Sequence, residues 1–244
     1  MGVYASNSII FLSHLPPVLP IGDDVRRRSR SIVTPLLIAS NVVAFAYSLA
    51  AGFERVILEN GFKPIYLLEV SRLETLLTSL FLHGDPAHLI GNMLFLFIFG
   101  RSVEDRFGTL QFFVLYLFSG IAGSLLHTVS LFLLPPQALV TQLAVPLIGA
   151  SGAISGIVGA YILLYPHARI LTLVPFYYII MLKVPARYFV FIWFVYQVAI
   201  GVVSLRLPLM IAAWSHVGGF AVGATITLIA QHLGQHHVSL SSRS

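Results

Sequence analysis

The sequence predicts an all-α, polytopic membrane protein, a bundle of six transmembrane helices. Three observations predict it. The 244 residues are 57% hydrophobic and only 9% charged, with mean hydropathy +0.90, whereas soluble domains carry about a quarter charged residues. No Asp, Glu, Lys or Arg occurs between Phe107 and Ala168. The basic residues gather between apolar runs long enough to cross a bilayer.

Residues 1–31 read as a polar, arginine-bearing tail. The first 20 residues lack a basic start and are broken by Pro16, Pro17 and Pro20, so they do not read as a secretory signal. Met1-Gly2 with Ser6 fits the crude myristoylation pattern, a match that chance supplies often. The first span is 32–52, free of charge. Residues 53–82 scatter Glu, Lys and Arg among apolar residues and read as interfacial amphipathic helices or a structured loop. The second span is 87–107 and the third 110–134, ended by Pro135-Pro136-Gln137. The fourth is 149–165, the fifth 188–205 and the sixth 209–233, with a polar tail over 234–244. No internal repeat or second domain is visible, so 32–233 reads as one six-helix domain.

Charge sets the expected orientation. Arg26, Arg27, Arg28, Arg30, Arg101, Arg106, Arg169, Lys183, Arg187 and Arg243 fall on the side of both tails; Arg55, Lys63, Arg72 and Arg206 fall on the other. That bias predicts cytoplasmic N- and C-termini, with 53–82 and the start of span four facing outward. The short tails point to a prokaryotic cell membrane. A pI near 9.7 does not indicate nucleic acid, because so few charges build no solvated basic face. The absence of cysteine excludes disulfides, thiolate metal sites and a cysteine nucleophile.

Polar groups inside spans are costly, so each needs a reason. Three clusters stand out. In "HGDPAHLIGN", His88 and Asn92 are four apart and share a helix face at the outer end of span two. Taken alone, they are ordinary interhelical hydrogen bonding. His83, Asp85 and His88 lack the spacing of a helical metal motif, and no metal site is expected. In "GASGAISG", Gly149-Ala150-Ser151-Gly152 opens span four, and Gly152 with Gly156 makes a GxxxG face. Such faces let helices pack closely. A serine at a helix N-terminus also has free N–H groups and the positive dipole end beside it, which favour a developing oxyanion. In "WSHVGGFAVGA", His216 lies just inside the outer end of span six, and Gly219 with Gly223 makes a second GxxxG.

Six-span counting makes spans four and six parallel. Their small faces can pack with backbones nearly touching, which puts Ser151 and His216 at similar depth. A serine nucleophile needs an imidazole within hydrogen-bond reach to take its proton. Spans four, five and six hold no acidic residue, so the expected arrangement is a Ser-His dyad and not a triad.

In this order the three motifs resemble those of the rhomboid intramembrane serine proteases, over roughly 34–231. "GRSVEDRFG", from Gly100 to Gly108, is similar to that family's short turn after span two. The resemblance implies Ser151 as nucleophile and His216 as general base and then acid. It implies an oxyanion hole of His88, Asn92 and the backbone N–H of Ser151. It implies cleavage of single-span membrane protein substrates within or next to their transmembrane segments, in contact with the lipid bilayer and without a cofactor. Residues 53–82 would be the family's first loop, with Arg72 at its arginine position, and the loop between spans five and six would act in substrate access. Two positions depart from the pattern: Ser155 stands where many members stack an aromatic on the catalytic histidine, and Ser71 precedes Arg72 where an aromatic is common. His127 has no assigned role.

Two other readings compete. A catalytically weak or inactive rhomboid-like membrane binding or quality-control protein would lose the serine or the histidine, and both are present. A small channel or transporter would spread polar residues along several spans and often show an inverted repeat; here they cluster at one depth.

Overall fold

The computed structural model describes residues 19–175, 179–206 and 211–241. The myristoylation-like start and most of the tail over 1–31 lie outside the described residues, as does the beginning expected for span six. Among the described residues, five helices are long and apolar enough to cross a membrane: Val33–Ala51, Pro86–Phe107, Thr109–Leu131, Ala186–Ser204 and Ala213–Leu233. A sixth apolar helix, Ser151–Leu164, has 14 residues. At 1.5 Å per residue it is about 21 Å long, short of a hydrocarbon core of roughly 30 Å.

In chain order, α1 is Val33–Ala51, and α2 (Phe53–Asn60), α3 (Ile65–Leu68) and α4 (Thr75–Thr78) make up the expected interfacial segment. The second span begins as α5 (Pro86–Phe95), widens to π geometry over Leu96–Gly100 and ends as α6 (Arg101–Phe107). Pro86 at its first position and the Asp85 carboxylate, which accepts the His88 N–H at 2.8 Å, start it. Gly108, at φ +83°, ends it. Next come α7 (Thr109–Leu131), α8 (Pro136–Leu143), α9 (Ser151–Leu164), α10 (Ala186–Ser204) and α11 (Ala213–Ser241). α11 runs past the expected start of the polar tail, where no proline interrupts it.

Every residue of α9 from Gly152 to Tyr161 is buried, so this helix is the centre of the bundle. Leu36, Val43, Ile90, Leu110, Phe118, Val129, Phe191 and Ile192, on the surrounding helices, are exposed, as a lipid-facing surface requires. α9 is seated by small residues. A Cβ on Gly219 would overlap the Gly152 carbonyl, and one on Gly223 would overlap the Gly156 carbonyl. The matched steps of four residues make α9 and α11 parallel, as the span count requires. α7 closes the third side: a Cβ on Gly156 would strike the Ser119 side chain, and one on Gly123 would meet Ser215.

The all-α expectation holds for the membrane region and misses one sheet. β1 (Leu19–Asp23), β2 (Arg169–Pro175) and β3 (Ile179–Pro185) form an antiparallel sheet in the order β1-β2-β3. It ties the N-terminal segment to the connection between α9 and α10. Asp23 anchors the junction by accepting from Ser102 Oγ at 2.8 Å, Tyr161 Oη at 3.0 Å and Arg27. Part of the supposed tail is therefore docked.

Candidate active site

The chain entering α9 is held from two sides. Phe62 and Leu147 exchange both backbone hydrogen bonds (3.1 and 2.7 Å), and Gly149 N–H donates to the Ser79 carbonyl at 2.9 Å. Gly149 sits at φ +118°, a conformation open to glycine, and turns the chain so that Ser151 opens the helix. Because α9 is short and central, this end of the helix is recessed within the bundle.

Ser151 and His216 meet as the packing of α9 on α11 dictates: Oγ to Nε2 is 2.8 Å. The other ring nitrogen, Nδ1, lies 2.7 Å from Gln197 Oε1 on α10. The only sign of Gln197 in the sequence is a lone amide in an apolar span. The Trp193 ring, also on α10, lies 6.4 Å from the His216 ring, and Trp193 in turn adjoins Phe220 at 6.3 Å. An aromatic neighbour of His216 thus comes from α10. Ser155 cannot supply one, and its Oγ–H donates to the Ser151 carbonyl at 2.6 Å.

His88 lies against Gly149, at the entry to α9. Its Nδ1 accepts from the Gly84 N–H at 3.3 Å. In a neutral imidazole that leaves the proton on Nε2. That Nε2 edge lies against the turn before the serine: a Cβ on Gly149 would come within 2.9 Å of His88 Nε2 and 3.7 Å of Ser151 Oγ. Asn92, one turn along α5 and nearly buried, donates Nδ2–H to the His88 carbonyl at 3.1 Å and keeps a second N–H on the same amide. The N–H groups of the first turn of α9 have no partner within the helix. The geometry thus brings one hydroxyl and one imidazole acceptor together at the N-terminus of α9, with the His88 ring against the preceding Gly149.

His83 is fully buried with its ring edge-on to His88, centroids 5.1 Å apart. Burial first, and then the neighbouring His88, push its imidazolium down from the ordinary 6.5 to about 3. Among the described residues no group of three or more His, Cys, Asp or Glu is placed to hold a metal. Arg72 is not brought to the serine; it lies in the first loop with its guanidinium 5.9 Å from the Tyr66 ring centre. His127 is on α7, and no hydrogen bond joins it to the pair.

The fold and site define an integral membrane protein with a serine–imidazole pair recessed among its helices. Residues 70–232, well over half of the chain, match the Rhomboid domain family model, and the chain belongs to that family. It is 40% identical over 100 residues to "Rhomboid protein 1, mitochondrial" of Saccharomyces cerevisiae, covering 41% of this chain and 28% of that protein. It is 32% identical over 149 residues to "RHOMBOID-like protein 12, mitochondrial" of Arabidopsis thaliana, covering 58% and 44%. It is 30% identical over 165 residues to "Rhomboid-like protein 16, chloroplastic" of Arabidopsis thaliana, covering 64% and 49%. The matched stretch is thus less than half of each of these relatives. Their names place them in organelles, so they lend no support to the prokaryotic cell membrane expected from the short tails.

Proposed function

We propose that the protein is an intramembrane serine endopeptidase that cuts membrane-anchored proteins within or beside a transmembrane segment. The observation that carries this reading is the 2.8 Å contact between Ser151 Oγ and His216 Nε2 at the recessed end of α9. In this reading Ser151 attacks the scissile carbonyl while His216 takes the hydroxyl proton and returns it to the leaving amine. His88 Nε2–H, an Asn92 amide N–H and the Ser151 backbone N–H stabilise the oxyanion. The substrate is a single-span protein that reaches the site from the side opposite the arginine-rich chain ends.

The test uses purified protein in detergent. Wild type should react with a fluorophosphonate probe and cut a fluorescent single-span substrate, and Ser151→Ala and His216→Ala should do neither. Wild type that is folded and inert in both assays would favour the alternative, an inactive rhomboid-like membrane binding protein. The observation favouring that alternative is Ser155, which bonds back to the Ser151 carbonyl and gives His216 no aromatic neighbour from α9.

A further inference from the structure

Gln197 has no part in a serine–histidine dyad, yet its placement is specific. Its helix, α10, exposes Phe191, Ile192, Val195 and Tyr196, while Gln197 is only 7% exposed. A buried amide in a span is costly unless it is hydrogen-bonded, and its Oε1 lies 2.7 Å from His216 Nδ1. With the Ser151 contact on the other nitrogen, the three side chains form one line: Gln197 Oε1, His216, Ser151 Oγ.

We propose, resting on the protease reading above, that Gln197 is a positioning residue that selects the working tautomer of His216. A carbonyl oxygen only accepts, so Nδ1 must carry the proton. In the neutral ring Nε2 then keeps its lone pair, directed at the serine hydroxyl. The opposite tautomer would put a proton on Nε2, where it could not receive the one from Ser151. When that proton moves from Oγ to Nε2, the Nδ1 proton stays, and its bond to Gln197 becomes charge-assisted and stronger. The Nε2 proton then passes to the leaving amine, and the ring returns to the starting tautomer. Gln197 does this without a charge, so no carboxylate has to be buried in lipid. The bond also joins α10 to α11 beside a second link, Trp214 Nε1–H to the Gly201 carbonyl at 3.0 Å, so the ring geometry depends on α10 being docked.

The test compares wild type, Gln197→Leu and Gln197→Glu, each as the full chain in detergent. Gln197→Leu removes the acceptor. It should lower kcat by about 10- to 100-fold, the scale for losing a group that orients a working histidine, leave KM nearly unchanged and slow fluorophosphonate labelling in proportion. Gln197→Glu restores an acceptor and should recover at least half of the lost rate. Imidazole NMR of isotope-labelled protein, with the His216 signal assigned by its loss in His216→Ala, should show an Nδ1–H in wild type and in Gln197→Glu but not in Gln197→Leu. A wild-type His216 protonated on Nε2, or Gln197→Leu labelling at the wild-type rate, would overturn the inference. An Nδ1–H signal in a wild type that neither labels nor cuts would uphold the tautomer assignment and sink the protease reading alone.

Discussion

The residues around Ser151 divide the work between two histidines by their hydrogen bonds. His88 accepts on Nδ1 from Gly84, so its Nε2 donates; His216 faces Gln197 on Nδ1, so its Nε2 accepts. The same side chain can therefore serve as an oxyanion donor on α5 and as a base on α11. In the proposed mechanism His88→Ala should lower kcat by about 10²–10³, the usual loss for one oxyanion donor, with labelling weakened to match. A His88→Ala enzyme that cuts at the wild-type rate would remove His88 from the oxyanion hole. Gly149→Ala should be as harmful, because φ +118° strains any side chain and a methyl group there would press on the His88 ring. Kinetics paired with a melting curve separate a damaged site from an unfolded protein. The pairing of Ser151 with His216 was legible in the sequence because both are polar groups in apolar helices whose small faces pack together. Gln197 was not, because an isolated amide states no partner, and its partner is 19 residues away on another helix.

Among the elements, the second span carries the most information. Its wide turn over Leu96–Gly100 ends on a glycine that lies against Thr34 at the start of α1. One turn on, Glu104 is only 3% exposed and accepts from the N–H groups of Ile32, Val33 and Thr34 (2.7, 2.7 and 2.9 Å) and from Thr34 Oγ1 (2.7 Å). This carboxylate, from a distant part of the chain, supplies the cap that α1 lacks in its own sequence. Glu104→Ala should destabilise the fold by about 3 kcal/mol, since it leaves several buried donors unpaired; Glu104→Gln should cost less. Thermal unfolding in one detergent, followed by tryptophan fluorescence, would measure both, and a melting point unchanged in Glu104→Ala would refute this account of the cap. Apart from the overrun of α11, helix positions were readable to within about four residues, because bilayer thickness bounds most of their lengths and charges or prolines mark many of their ends. The sheet was not, because strands of seven residues in an apolar connection, such as "RILTLVP", look like the margins of neighbouring spans, and β1 becomes a strand only by pairing with residues about 150 positions away.

At the scale of the whole molecule, a short central helix is wedged among longer ones, with Ser151 and His216 half-buried at its N-terminal end and His83 fully buried beside His88. Burial costs stability when a buried base must take up a proton. His83, in the turn just before α5, is the clearest case outside the membrane spans. Its folded pKa of about 3 lies below the ordinary 6.5. Between those values the unfolded chain binds a proton that the folded chain does not, so stability rises with pH across that window. The contribution is complete above about pH 6.5 and is lost as pH falls toward 3, at up to about 1.4 kcal/mol per pH unit. Of the neighbouring titratable groups, His88 depresses the pKa further and Asp85 opposes it. Wild type should therefore melt at progressively lower temperature from pH 6.5 down to pH 4. His83→Phe fills the buried site with an apolar ring, edge-on to His88, and should flatten that slope while leaving the melting point near neutrality within a few degrees. Parallel slopes in the two proteins would assign the acid sensitivity to other groups and leave His83 with a packing role against His88.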